Sequence, residues 1–310
     1  MNSLVSMTPE VRAAIETGRP VVALESTLIA HGMPYPRNLE MAQRLVAIVR
    51  KEGAVPAIIA VGRGRILVGL DDADLQRIAE ARDVAKISSR KIAAFLASGK
   101  MGATTVASTM ACAHLAGIRV FATGGIGGVH RGAESTFDIS ADLDEFARTP
   151  VAVVSAGAKA ILDLPKTLEY LETKGVPVLG YRTDTFPAFF SRSSGLPLAV
   201  RCDTPDEAAS VLLMQDKLGF GAGTLIANPI PQEHAMPEAE IEAAIERAVA
   251  EATRKGIAGK EVTPYLLAAL VRLTEGRSLA ANMALAEHNT RVGAEIAKAY
   301  ARLRREMSTA

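Results

Sequence analysis

Val153-Val154-Ser155-Ala156-Gly157-Ala158-Lys159-Ala160-Ile161-Leu162-Asp163 joins an apolar, β-branched run to a helical pattern that continues to about Lys174. The join predicts a strand handing the chain to a helix, the repeating step of α/β layers. The alternation extends both ways. Upstream, segments 20–24, 57–61, 65–68, 84–87 and 119–122 read as short strands, and 176–179, 198–201 and 223–227 follow downstream. Between them, 8–17, 38–50, 72–82 and 90–98 carry helical periodicity, with Thr8 and Asn38 as expected N-caps. Gly62-Arg63-Gly64 between two strands suggests a hairpin, and 31–36, rich in Pro and Gly, reads as a loop. The C-terminal third, 238–255, 264–274 and 278–307, is helical throughout. With no low-complexity linker and no repeat period, one domain is expected over 1–310. Helices should cover both faces of a mostly parallel sheet.

Composition narrows the partners. The chain has 310 residues, 49% hydrophobic and 22% charged, with a net charge of +1. Such a balance requires neither nucleic acid nor a membrane surface. Aromatics are 4% and Trp is absent, which argues against base-stacking platforms and interfacial belts. Segment 1–19 lacks an apolar core and no apolar run reaches membrane-spanning length, so a cytoplasmic enzyme is expected. Cys112 and Cys202 lie far apart and read as buried free thiols.

In such sheets ligands gather at the carboxyl ends of the strands. Glu25, Lys86, Thr123 and Lys159 all fall at or just after an expected strand end, which points to one shared site. In water a lysine amine stays protonated to about pH 10.4. An apolar wall or a nearby cation frees its lone pair; otherwise Lys159 is a surface residue opening a helix. Glu25 ends an apolar strand, a partly desolvated setting suited to proton donation, or it caps the following turn. Lys86 holds an anion or sits at a strand edge.

Thr123-Gly124-Gly125-Ile126-Gly127-Gly128-Val129-His130-Arg131 is the densest glycine run. Its backbone N–H groups suit an anion, with charge from His130 and Arg131, or the run is a tightly folded loop. It is neither a Walker loop nor a dinucleotide fingerprint. Asp138 and Asp142, four apart with Ser140 between, offer oxygen ligands to a hard divalent ion, or cap a helix. Asn282 lies on an apolar helix and needs a hydrogen-bond partner, from ligand or backbone. The five histidines form no tight ligand set, so no zinc site is expected, and G-x-S-x-G is absent.

Longer stretches carry a resemblance. They are Ala23-Leu24-Glu25-Ser26-Thr27, His31-Gly32-Met33-Pro34 and Gly102-Ala103-Thr104-Thr105-Val106-Ala107-Ser108-Thr109-Met110. The glycine run continued to Glu134 follows, then Thr136-Phe137-Asp138-Ile139-Ser140-Ala141-Asp142-Leu143, Ser155-Ala156-Gly157-Ala158-Lys159 and Ala227-Asn228-Pro229-Ile230-Pro231. In this order the chain resembles the pseudouridine-5′-phosphate glycosidases of the indigoidine synthase A-like group. The resemblance implies an α/β/α sandwich with a mixed, largely parallel sheet, a homotrimer and one Mn²⁺ per subunit. It implies reversible cleavage of pseudouridine 5′-phosphate to uracil and ribose 5-phosphate. Lys159 falls on the covalent nucleophile, Glu25 on the proton donor and Asp138 on the metal ligand. Lys86, Val106, Ser140, Ala141 and Asp142 fall on substrate contacts, and Thr123, His130 and Asn282 on further pocket positions. Two rivals stay open from the residues themselves: an N-nucleosidase or Schiff-base aldolase acting on another phosphosugar, and a nucleotide-binding regulator in which Lys159 pairs with phosphate.

Overall fold

The computed structural model of the chain describes residues 3–81, 83–257 and 262–309. Its strands are β1 (Val5–Met7), β2 (Val21–Glu25), β3 (Val55–Gly62), β4 (Arg65–Val68), β5 (Ala85–Ile87), β6 (Gly102–Thr104), β7 (Val120–Ala122), β8 (Ala152–Ser155), β9 (Val178–Tyr181), β10 (Val200–Cys202) and β11 (Thr224–Ala227). All join one sheet in the order β1-β4-β3-β2-β7-β8-β11-β9-β10, with β6 added on β3 and β5 on β6. Only the β3–β4 and β3–β6 pairings are antiparallel.

The apolar runs explain this centre. Every residue of β3, β8 and β11 is buried, as a parallel sheet covered on both faces requires. The long helix Arg277–Thr309 packs across β2, β7 and β8, flanked by Arg37–Lys51 and Pro205–Leu218. A Cβ placed on Gly293 would sit 3.0 Å from the Cβ of Ala122, so this helix lies tight on the sheet. On the other face, Val106–Leu115 packs on β2, β3 and β4 and carries Ala141–Phe146 against it. The expected three layers are therefore present. Cys112 and Cys202 are free and buried, as expected.

Several local expectations need correction. The hairpin is real: Gly62 pairs with Arg65, and Arg63 and Gly64 turn the chain with φ of 55° and 70°, the mirror-image turn that matches strand twist. Asn38 caps nothing. The helix begins at Arg37, and Asn38, 2% exposed, donates its amide to the carbonyls of Ile29 and Ala79 at 2.9 and 2.8 Å. Segment 31–36 opens inside a short helix, Thr27–Gly32. Strand β6 was too short to show a period. The helix over 72–82 runs Asp72–Glu80, and residue 82 lies outside the described residues. Lys159 opens no helix: irregular chain runs from the end of β8 to Asp163, whose carboxylate caps Leu164–Thr173 by accepting from Lys166 N at 3.1 Å. Gly157, at φ +78°, turns the chain away from the strand, and Pro165 fixes where the helix starts.

Candidate active site

Strands β2, β7, β8 and β11 run parallel and in register, with Leu24 opposite Ala122, Ala122 opposite Val154 and Ser155 opposite Ala227. Their carboxyl ends therefore lie along one edge. Glu25 ends β2, Thr123 follows β7, the Lys159 segment follows β8 and Asn228 follows β11.

The glycine run is a ribbon held along both sides by backbone bonds. Thr123 N donates to Val154 O and Ile126 N to Gly157 O, while Lys159 N donates back to Ile126 O, each at 3.0 Å. On the other side His130 N donates to Asp138 O and Ser140 N to Gly128 O, also at 3.0 Å. Gly127 N is taken by the Asp142 carboxylate at 2.8 Å and Val129 N by Thr167 Oγ1 at 3.0 Å. These five amides of the run are engaged within the protein. The glycines also answer a steric need. An added Cβ would strike the Phe189 ring at Gly125, Ser140 and Asp142 at Gly127, and Thr167 at Gly128. The positive charge expected beside the run is partly offset. Arg131 is engaged bidentately by Glu242, at 2.7 and 3.1 Å. Burial pushes the His130 pKa down against the pull of Asp138, and Lys159 and Lys86 depress it further, so its imidazole is neutral near pH 7.

Lys159 Nζ donates to Gly125 O at 2.7 Å. Burial lowers its pKa first of all; the charges of Glu25 and Asp142 oppose this, and Lys86 adds to it. The amine is thus withdrawn from water and within the field of both carboxylates. Glu25 is half-buried, and its two oxygens accept from the hydroxyls of Thr27 and Thr123. A carboxylate so held points in one direction only.

The remaining expected residues surround this pair. Lys86 is exposed on β5, yet its charge acts on both Lys159 and His130. Val106 is buried at the start of its helix. Asp142 is 6% exposed and accepts from Ala107 N and Gly127 N, both at 2.8 Å, which ties the helix to the ribbon. Ser140 caps the helix through Asp142 N, and Ala141 is its exposed first residue. Asn282 lies against the ribbon, its Oδ1 3.3 Å from where a Gly124 Cβ would stand. A cleft of about 330 Å³ lies beside the Lys159 segment, touching Ala160 and Leu162; of the residues singled out in the sequence as candidates, Arg131 lines it.

No group of three His, Cys, Asp or Glu side chains forms a metal cage among the described residues. A hard divalent ion that keeps most of its waters needs only one or two carboxylates and a phosphorylated ligand. Asp138, 40% exposed and 4.0 Å from His130 Nδ1, fits that donor set.

One residue carries the site from behind and escaped sequence reasoning. Asn289, fully buried on the long helix, donates to Thr123 O at 2.8 Å and Gly124 O at 3.2 Å, and accepts from Asn228 Nδ2 at 2.8 Å. Its signal was available: it lies seven residues beyond Asn282, on the same helix face.

Comparison with known proteins gives a consistent result. The family described as indigoidine synthase A like protein matches residues 10–299. A protein of Solibacter usitatus named pseudouridine-5′-phosphate glycosidase is 61% identical, over 93% of this chain and 97% of its own length. One of the same name from Caldanaerobacter subterraneus subsp. tengcongensis is 56% identical, over 99% and 100%. Among solved structures, the prealnumycin C-glycosynthase AlnA in complex with ribulose 5-phosphate is 42% identical, with a TM-score of 0.92 over 99% of this chain and 100% of that one.

Proposed function

The chain belongs to the indigoidine synthase A like family, and from that premise we propose that it acts as a pseudouridine-5′-phosphate glycosidase, as its relatives are named. It cleaves the C–C bond between ribose C1′ and uracil C5 reversibly, yielding uracil and ribose 5-phosphate. The observation that carries this reading is the Lys159 amine, desolvated, depressed in pKa and set in the field of Glu25 at the strand-end edge.

The chemistry requires such an amine. An ordinary glycosidase protonates a departing oxygen; here the departing atom is carbon, without a lone pair. Once the ribose ring opens, Lys159 Nζ bonds to C1′. Its lone pair then drives the C1′–C5 bond apart, uracil C5 takes up a proton, and water hydrolyses the remaining iminium. Glu25, oriented by Thr27 and Thr123, moves the protons at the ring oxygen and at C5. Gly125 O aims the amine. Lys86, exposed at this mouth, draws the phosphate. Val106, Ser140, Ala141, Asp142 and Asn282 form the wall that positions the sugar. His130 is neutral and donates or accepts a hydrogen bond there.

Asp138 is the residue that would hold Mn²⁺ beside His130. The bound ion would supply positive charge to the phosphate. The reading includes a homotrimer in the cytoplasm. Exposed Phe137, Leu218 and Phe220 give the surface apolar area to bury in an assembly, and no described helix is long and apolar enough to cross a membrane.

The test is synthesis from the reverse side. Protein incubated with uracil and ribose 5-phosphate, with and without Mn²⁺, should form the C-glycoside, and borohydride should trap a pentose phosphate on Lys159. Lys159→Ala should bind ribose 5-phosphate but neither turn over nor trap. Full turnover by that variant ends the covalent role. Release of a pentose from N-nucleotides alone would favour the nucleosidase reading.

A further inference from the structure

Arg119 immediately precedes β7, at the edge of the sheet opposite Glu25 and Lys159. Its side chain is 11% exposed, and Nε donates to Asp216 Oδ1 at 2.9 Å. The two terminal nitrogens, Nη1 and Nη2, are buried and have no acceptor. Buried charges are normally paired and buried N–H groups bonded, so two missing acceptors on one guanidinium need a physical reason. Asp216, whose second oxygen accepts from the Tyr300 hydroxyl at 2.6 Å, makes no bond to them.

Arg119 lines a cavity of about 510 Å³, together with His114, Asp216, Lys217, Tyr300 and Arg304. Three of these are cations at neutral pH, and Asp216 is the one carboxylate among the described lining residues. A roomy cavity, an excess of positive charge and an arginine fork short of acceptors are separate observations that ask for the same thing. An oxyanion offers paired oxygens to parallel N–H groups, which a single water cannot match in geometry.

We propose that this cavity is a second ligand site, which takes a small molecule bearing a phosphate or carboxylate on the terminal nitrogens of Arg119. It shares no residue with the Lys159 site and does not depend on the reaction assigned there.

Titration calorimetry of the full chain with inorganic phosphate tests it, in a Lys86→Met/His130→Ala background that weakens phosphate at the Lys159 site. One phosphate per chain should still bind. Adding Arg119→Met should weaken that binding about ten- to a hundred-fold, the effect of removing a charged hydrogen-bond donor. In the otherwise wild-type chain Arg119→Met should leave turnover unchanged, which also reports that it folds. Should that variant not fold, Arg119→Lys, which keeps the charge but loses the fork, should bind phosphate more weakly than wild type. Acetate in a parallel titration separates a carboxylate ligand from a phosphate one, and binding of either on Arg119 supports the site. No residual binding, or equal binding with and without Arg119→Met, overturns it. Exposed Leu218 and Phe220 sit close in sequence to Lys217 and make a second copy of the chain the rival occupant. If Lys217→Glu dissociates an assembly while leaving phosphate affinity unchanged, the rival holds and the proposal fails.

Discussion

Replacing Asn289 by Ala should damage both stability and catalysis, and the size of the first follows from the bonds. Asn289 is fully buried, and its amide serves three groups: Thr123 O, Gly124 O and Asn228 Nδ2. Gly124 O keeps a second donor, Ala156 N at 3.0 Å. The substitution therefore strands two buried groups, the Thr123 carbonyl and the Asn228 amide. Each stranded group costs about 1–3 kcal/mol, so the loss should be about 2–6 kcal/mol. That is a large share of a typical domain's stability, about 5–15 kcal/mol. Urea denaturation followed by circular dichroism measures it. Asn228→Ala removes one of the two stranded groups in advance, so the double variant should lose less than the sum of the singles, with a coupling of about 0.5–3 kcal/mol. Turnover should fall as well, because the ribbon that Asn289 holds presents Thr123 to Glu25 and Gly125 O to Lys159. A loss below about 1 kcal/mol, or an additive double variant, would refute the reasoning, since no stranded group would then exist.

Other perturbations follow from the same geometry. Lys86→Met removes a cation that holds the Lys159 pKa down, so the acid limb of the pH–rate profile should move to higher pH; high salt should mimic it, because Lys86 is exposed, and an unmoved limb would separate Lys86 from the amine. Burial depresses the Lys159 pKa in the folded chain, so between that value and the unfolded value of about 10.4 the unfolded chain binds the extra proton and stability rises with pH. Lys159→Ala should abolish this slope in melting temperature against pH; a slope that persists must come from another group. Gly127→Ala would place a methyl group 2.7 Å from Asp142 Oδ2 and in collision with Ser140. It should cost about 1–3 kcal/mol and reduce turnover with it, and an unchanged melting temperature would mean the ribbon yields freely.

What could be read in the sequence, and what could not, divides along one physical line. β8 and β11 are apolar on both faces, so their residues alone announce them and place their carboxyl ends. Glu25, Thr123 and Lys159 were therefore legible as neighbours before any partner was known. The glycine run was legible as a constraint but not as to its kind, because dense glycine fits an anion nest and a steric squeeze equally. Phe189, Ser140 and Thr167 supply the squeeze, and they come from three other segments. Asn38 shows the same limit: a residue type that usually caps a helix instead bridges Ile29 and Ala79. Asn289 goes furthest. The sequence did not single it out, because the carbonyls it serves lie 165 and 166 residues away. The groups that react stand where strand ends put them, whereas those that aim the reactive groups are fixed by acceptors that only the assembled layers supply. The Lys159 amine depends on both, since its acceptor Gly125 O belongs to the ribbon that Asn289 holds, so its reactivity is a property of the long helix as much as of β8.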